Sequence, residues 1–194
     1  MSTSQPSSLL PALLANIDEE QPLSVLHIGP ALPETLDFFS GYRCKLHFID
    51  LFAELPRLQV GDDSEVPPAA LLTELLQLPA DTRIDLCLFW DLFNYLEGAV
   101  IRDLLTILGP HLHSASHGHC FAVHNLKTPQ LAQVYGIRDA DRISVRERPA
   151  PLPGYHPHTQ GQLEKWLTGL RVSRSVLLAG SRLEILLQGA AQQR

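Results

Sequence analysis

Several features of secreted and membrane-bound proteins are missing from this sequence. Its 194 residues include only three cysteines, an odd number without paired spacing, which predicts no disulfide framework and fits a reducing compartment. The amino terminus has no basic stretch followed by an apolar core, so it does not resemble a secretory signal. No uncharged apolar run approaches the length of a membrane span. We therefore expect a cytoplasmic protein without membrane contact.

Common catalytic and metal-binding signatures are also missing. No serine lies in a G-x-S-x-G elbow, which argues against that class of hydrolase. No G-x-x-x-x-G-K-[ST] loop is present, so a P-loop nucleotidase is not expected. One region is rich in potential metal ligands: His111, His113, His117, His119 and Cys120. Because their spacing does not direct them to one tetrahedral centre, we interpret them as loop and strand residues and expect no metal.

Composition and charge favour one soluble folded domain. Hydrophobic residues make up 45% of the chain and the formal net charge is −6, which disfavours a broad nucleic-acid surface because such a surface needs a basic stripe. A local basic cluster is present at Arg138, Arg142, Arg146 and Arg148. We assign residues 1–20 to a flexible terminal segment with a short helix, and residues 21–190 to a single α/β domain. The sequence does not indicate an oligomeric state.

The stretch from residue 23 to residue 51 has the pattern strand, helix, strand. Residues 24–28 form a short apolar run that ends at Gly29, and residues 44–49 form a second run that ends at Asp50. Two such strands joined by a helix are typical of a parallel βαβ unit. A glycine after the first strand and a carboxylate after the second indicate a nucleoside site, where backbone approaches the ligand and the acid binds ribose hydroxyls.

Helical and strand patterns alternate along the rest of the chain. The predicted helices are 9–17, 51–58, 67–78, 97–108, a turn within 130–135, and 162–170. The predicted strands are 84–90, 120–124, 142–148 (edge-like), 172–178 and 182–187. Only a tight hairpin can join the last two strands, so they should be antiparallel. The order predicts a three-layer, doubly wound, mostly parallel sheet with a carboxyl-terminal antiparallel hairpin. We expect the irregular section 125–158 to cover or border a site.

Polar and aromatic side chains follow the central strands, at the edge where open α/β sheets bind ligands. They are Trp90, Asp91, Asn94 and His124. Three of them have an alternative interpretation, since Trp90 could pack in the core, Asp91 could cap a helix and His124 could only bond the next loop. Gly29 could equally serve a turn, and Asp50 could cap a helix.

The element order resembles the class I S-adenosylmethionine-dependent methyltransferases, whose sheet ends in such a hairpin. The matching stretches are VLHIGPA (25–31), HFID (47–50), LCLFWDLFNYL (86–96) and YHPHTQGQLEKWL (155–167). The resemblance implies S-adenosyl-L-methionine as cofactor, with Gly29 and Ala31 near its methionine part and Asp50 at its ribose. It also implies that Trp90, Asp91 and Asn94 border the adenosine and the substrate. His124 is the candidate base if a proton must be removed.

The glycine-rich turn of that family is degenerate here. Ala31 stands where the second glycine would be, and Pro30 and Pro33 remove two N–H donors and fix φ. The acid of the family's third strand is matched by position only, at Asp62 and Asp63. Two functions stay open: a methyltransferase acting on a small-molecule or protein acceptor, and a catalytically inactive methyltransferase-like binding or scaffold protein.

Overall fold

The computed structural model describes residues 2–15, 17–18, 20–59 and 66–190. The strands are β1 (Ser2–Pro6), β2 (Leu23–Ile28), β3 (Cys44–Ile49), β4 (Leu86–Trp90), β5 (His117–Val123), β6 (Gln133–Asp139), β7 (Arg142–Glu147), β8 (Leu170–Leu178) and β9 (Arg182–Gly189). The helices are α1 (Leu10–Leu14), α2 (Pro33–Phe39), α3 (Leu55–Leu58), α4 (Pro68–Leu75), α5 (Gly98–Leu108) and α6 (Gln160–Leu163).

Six strands form the main sheet in the order β3-β2-β4-β5-β9-β8. The first four are parallel, β9 runs antiparallel to β5, and β8 pairs antiparallel with β9. The predicted α/β fold and its terminal antiparallel hairpin are therefore confirmed. None of the helices in the described part of the chain combines the length and the apolar character needed to cross a bilayer.

The core lies on both faces of β4, whose five residues are all buried. Cys87 and Phe89 face a cluster built with α3, α4 and α5. Leu86, Leu88 and Trp90 face a second apolar cluster, which contains residues of α1, of α2 and of the β6–β7 region. This explains the nearly continuous apolar run in the sequence, because a parallel strand covered on both faces has no solvent side on which to place polar residues.

A second, three-stranded sheet of order β1-β7-β6 covers one face of the main sheet. Residues 2–6, assigned above to a flexible segment, form β1 and pair with β7 from Ser2 to Pro6. The helical turn predicted within 130–135 is wrong, because β6 begins at Gln133. The edge position expected for 142–148 is also wrong, since β7 lies between β1 and β6. A polar terminal strand gives no local sign of its distant partner. The division of the chain at residue 20 stays a prediction.

Element ends differ from expectation where tertiary pairing decides them. β5 begins at His117 rather than at residue 120, because residues 117–119 also pair with β4 and β9. The last helix, expected over 162–170, spans only Gln160–Leu163, and Thr159 is its N-cap. Thr159 and Gln162 form a capping box, in which each side chain bonds the other residue's backbone N–H.

Glu34, in the first turn of α2, attaches the second sheet to this helix. Its Oε1 accepts hydrogen bonds from the hydroxyls of Ser2 at 2.7 Å and Ser144 at 2.8 Å, and Arg146 Nη2 lies 2.7 Å from Oε2. Partial burial acts to raise the pKa of Glu34, but the hydrogen bonds from these three residues and its own backbone outweigh it and lower the pKa to about 2. One carboxylate therefore joins β1, β7 and α2.

We expect Glu34→Gln to lower the melting temperature at pH 7 by about 2–4 °C, from a loss of about 1 kcal/mol typical of a partly exposed ion pair. The Glu34 contribution is complete above pH 4.5, the ordinary value of the carboxyl, and is lost as pH falls through about 2. The variant should therefore show a shallower acid transition in thermal unfolding from pH 5 to pH 2. Glu147→Gln removes the same charge from an exposed position of β7; an equal effect of both variants would contradict the assignment.

Candidate functional site

The glycine turn and the acid predicted from the first βαβ unit lie side by side. β2 and β3 are parallel neighbours with Ile28 opposite Ile49. The N–H of Gly29 donates to the carbonyl of Ile49 at 2.9 Å, and Asp50 is the next residue. Gly29 has a φ of +125°, a conformation that L side chains rarely adopt. The backbone conformation of this turn therefore requires glycine.

Asp50 is a half-exposed carboxylate at the end of β3. Its Oδ1 accepts a long hydrogen bond of 3.3 Å from the N–H of Ala53 in the turn 51–54, whereas α3 begins at Leu55 with Glu54 as its N-cap, so Asp50 does not cap that helix. Its other oxygen, Oδ2, accepts no hydrogen bond from any of the described residues. The carboxylate thus makes a weak local contact and retains the capacity to bind hydroxyl groups.

The turn that follows Gly29 offers few backbone donors. Pro30 and Pro33 have no N–H, and the N–H of Gly29 is already bonded to Ile49. Ala31 is exposed, and the N–H groups of Ala31 and Leu32 are the donors that this turn can direct toward a ligand. Asp62 and Asp63, the candidates for an adenine-side acid, lie outside the described residues.

Trp90 ends β4 in a strained conformation. Its φ is +53°, which is rare for a bulky residue and costs about 1–3 kcal/mol. Its side chain is fully buried, stacks on Tyr135 at 5.8 Å, and donates from Nε1 to His27 Nε2 at 3.4 Å. Burial lowers the pKa of His27 to about 3, so this imidazole is neutral and can accept that bond. The core alternative thus describes the Trp90 side chain, and its contact with a cofactor stays a prediction.

Asp91 is a buried carboxyl beside the strained residue. It is 6% exposed, and its Oδ1 has no hydrogen-bond partner among the described residues. Burial raises the pKa of Asp91 from 3.8 to about 7, although the charges of Arg182 and Arg148 act in the opposite direction. Its side chain makes no capping hydrogen bond to the 3₁₀ turn that follows. A buried carboxyl with a perturbed pKa at a ligand-binding edge is a candidate functional group.

Asn94 connects three parts of the chain. Its Nδ2 donates to the carbonyl of Phe121 at 3.0 Å, and its Oδ1 accepts from the N–H of His158 at 3.3 Å. Its own carbonyl accepts from the N–H of His156 at 2.7 Å. Asn94 therefore joins β4, β5 and residues 156–158, and any contact with a ligand would add to this structural role.

His124 follows the last residue of β5 at the same edge of the sheet. Its backbone N–H donates to the carbonyl of Ser181 at 2.8 Å, and the residue is exposed. The main chain is thus held in place while the imidazole is open to solvent. His158, by contrast, is buried, with Nε2 2.8 Å from the carbonyl of Leu96 and its ring against Trp166.

The section 125–158 covers this edge of the sheet. The guanidinium of Arg148 lies 4.7 Å from the centre of the Phe52 ring. The same ring lies beside Gly29, since its edge carbons would be 3.8 Å from a Cβ atom built at that glycine. Gln130 Nε2 donates to the carbonyl of Leu152 at 2.9 Å and to Tyr95 Oη at 3.3 Å. These contacts close the section over the end of β4.

The cavity beside Asp91 is small. It is lined by Asn94, Tyr155 and Arg182 among others and holds about 10 Å³, room for about one water molecule. The bend after Gly29 and the acid after β3 are adjacent to each other, and neither of them lines this small cavity.

Three residues at this edge were not identified from the sequence, namely Tyr95, Arg148 and Arg182. Arg148 belonged to the arginine cluster, but that cluster is dispersed in the structure. Arg142 bonds β1, Arg146 pairs with Glu34, and only Arg148 reaches the site. No local pattern marks Arg182. The described residues also contain no group of three or more His, Cys, Asp or Glu side chains that could hold a metal ion.

Comparison with known proteins extends the description of the fold. No family model and no curated protein matches the sequence. A Clostridium acetobutylicum S-adenosylmethionine-dependent methyltransferase matches in structure with a TM-score of 0.52 and 12% identity, over 94% of this chain and 89% of that one. The Burkholderia thailandensis 1,6-didemethyltoxoflavin-N1-methyltransferase, solved with its substrate and S-adenosylhomocysteine, gives 0.50 and 13%, over 94% and 77%.

The mitomycin 7-O-methyltransferase MmcR gives a TM-score of 0.51 and 19% identity, over 94% of this chain. The chain spans just over half, 54%, of the length of MmcR. At these identities the likeness describes the architecture, and the chain has the fold of the S-adenosylmethionine-dependent methyltransferases. The family resemblance inferred from the sequence is confirmed at the level of fold.

The pKa of Asp91 generates a test of its environment. Because the folded state holds the proton more tightly than the unfolded state, the Asp91 contribution to stability is complete below pH 3.8 and is lost as pH rises through about 7. We expect the gain in melting temperature from Asp91→Asn to be about 5 °C larger at pH 8 than at pH 5, from about 2 kcal/mol, because the loss between pH 3.8 and pH 5 is present at both. Thermal unfolding from pH 5 to pH 8 measures this. A constant difference across that range, or the same profile for exposed Asp139→Asn, would contradict it.

Proposed function

We propose that this protein is an S-adenosylmethionine-dependent methyltransferase acting on a small-molecule or protein acceptor. The observation that carries the proposal is the hydrogen bond from Gly29 to Ile49, which joins the glycine turn to the residue before Asp50. In a sheet of this fold, that places a permissive backbone turn next to an available carboxylate at the ligand-binding edge. The solved neighbours that act on 1,6-didemethyltoxoflavin and mitomycin favour a small-molecule acceptor.

Residues of this chain divide the binding task by their chemistry. The Asp50 carboxylate would accept hydrogen bonds from the ribose hydroxyls, and Gly29 and Ala31 would approach the methionine part. Asp91 and Asn94, which line the small cavity at the end of β4, would border the adenosine and the acceptor. Trp90 would act through its backbone, since its side chain is in the core. S-adenosylmethionine would supply an already activated methyl group.

The covering section would form one wall of the bound-ligand site. Arg148 lies on the ring of Phe52, which is next to Gly29, and Gln130 donates a hydrogen bond to Tyr95. In this position residues 125–158 would exclude water and hold the acceptor in line with the methyl group, and positioning of this kind supplies much of the rate of a two-reactant step.

One observation favours the alternative, a methyltransferase-like protein that binds or organises partners without catalysis. In the turn after Gly29, Ala31 stands where the second glycine would be, and Pro30 and Pro33 remove two N–H donors. These changes would weaken cofactor binding and leave the fold intact. The two functions differ in whether the nucleoside binds at all.

Calorimetric titration with S-adenosylhomocysteine separates them. We expect binding by the wild-type protein and, in Asp50→Ala, an affinity at least about tenfold lower, because hydrogen bonds to a charged acceptor contribute about 1.5–3 kcal/mol. Asp81→Ala removes the same charge from an exposed turn and should leave affinity unchanged. The absence of binding at millimolar ligand would reject the methyltransferase and favour the non-catalytic protein.

His124 is the residue that we assign to proton removal. In methyl-transfer assays over a panel of small hydroxyl and amine acceptors, His124→Ala should lower turnover about 10²–10⁴-fold, the usual contribution of a general base. Its affinity for S-adenosylhomocysteine should stay within about twofold of wild type, since no binding contact is removed. His156→Ala, another exposed histidine in the covering section, is the control. Equal turnover of both variants would exclude His124 as the base.

A further inference from the structure

A second cavity lies at the opposite edge of the main sheet, where the parallel strands begin. It has a volume of about 730 Å³ and is lined by the starts of β2 and β3 and by residues that precede β4 and β5. The strands between this edge and Gly29 and Asp50 are about 20 Å long, from six residues at about 3.3 Å each. The cavity is therefore separate from the proposed cofactor site, and its size is that of a small-molecule site.

Cationic side chains dominate the lining of this cavity. Arg43, Lys45 and Arg83 all line it and are exposed, and none of them forms an ion pair with a described carboxylate. They come from two separate parts of the sequence, so only the fold assembles them. The chain as a whole has a formal net charge of −6, which makes this group a local reversal of sign.

The one carboxylate in the lining is already engaged. Asp85 Oδ2 accepts a hydrogen bond from the N–H of Ser24 at 2.8 Å, and its Oδ1 lies 3.1 Å from His113 Nε2. These contacts attach Asp85 to the start of β2 and to His113, and it forms no ion pair with Arg43, Lys45 or Arg83. The three cations therefore keep hydrogen-bonding capacity for a ligand.

His47 supports the positive character of this region. It lies two residues after Lys45 on β3, and burial, followed by the charges of Lys45 and His111, lowers the pKa of His47. Its Nε2 is buried without a hydrogen-bond partner among the described residues. An anion near Lys45 would relieve this repulsion.

We propose that this cavity binds a small phosphate-bearing molecule. The two guanidinium groups and one ammonium group are positively charged and would attract the several negative charges of a phosphate group. The planar guanidinium groups can also donate paired hydrogen bonds to phosphate oxygens. An extended nucleic acid fits less well, because the attraction fades within about 8–10 Å at physiological ionic strength and the net negative charge of the chain would repel the rest of the polymer. The binding does not depend on the proposed methyltransferase function.

The test uses the full chain and pyrophosphate as probe, by calorimetry in a phosphate-free buffer of low ionic strength. We expect saturable 1:1 binding by wild type that weakens as sodium chloride is added. Arg43→Gln/Arg83→Gln should bind at least about tenfold more weakly, because each substitution removes a charged donor to the phosphate oxygens. These are surface positions, so circular dichroism should show a folded protein.

Arg138→Gln/Arg174→Gln is the matched control, because it removes the same charge from exposed positions of β6 and β8 outside the cavity. Equal weakening by both double variants would show a general charge effect and overturn the site, as would no pyrophosphate binding by wild type. Parallel titrations with citrate and with a short single-stranded oligonucleotide test the ligand class. Tighter binding of either than of pyrophosphate would overturn the phosphate assignment.

Discussion

Burial of β4 on both faces is the constraint on which the rest of the structure depends. Its residues point alternately into two apolar clusters. A shift of the strand by one residue would therefore move every side chain of β4 to the opposite cluster. The end of β4 is consequently held in one position, and this is where the chain has its strained residue and its buried carboxyl. A loosely packed strand would release the positive φ of Trp90 and let Asp91 turn to solvent.

Trp90 and Asp91 both oppose stability. A bulky residue with positive φ and a carboxyl that lacks a partner for Oδ1 are features that a fold selected for stability alone would replace. They lie at the carboxyl edge of a parallel sheet, where ligands bind in this architecture, and this position is the basis on which we propose a functional role for them. The arginines near Asp91 reduce but do not cancel the effect of burial on its pKa.

The second sheet determines how accessible that edge is. β6 and β7 are held against α2 by Glu34 and against the amino-terminal strand by backbone pairing, and β7 leads directly to Arg148 on the Phe52 ring. The amino-terminal residues, the covering section and the glycine turn are thus mechanically connected. The network around Glu34 therefore helps to fix the position of the covering section. At the other edge, the sheet gathers cations that the sequence scatters over forty residues.

Local sequence patterns were sufficient for the main sheet and for part of the site. The apolar run of β4, the glycine and acid after β2 and β3, and the short hairpin before β9 each depend on neighbours in sequence, and each was predicted. Periodicity also identified α2, α4 and α5, although with displaced ends.

What the sequence by itself determined is the succession of the six main-sheet strands and their helices along the chain, and the placement of Gly29 and Asp50 after the first two of these strands, since hydrophobic spacing and parallel pairing are local consequences of residue type. Only the tertiary structure decided that residues 2–6 form a strand, that Trp90 lies in the core, that Asp91 is buried, and that Arg148 covers Phe52. The physical reason is that these depend on contacts between residues distant in the chain, where a polar strand or a single arginine has many possible partners and the packed fold selects one.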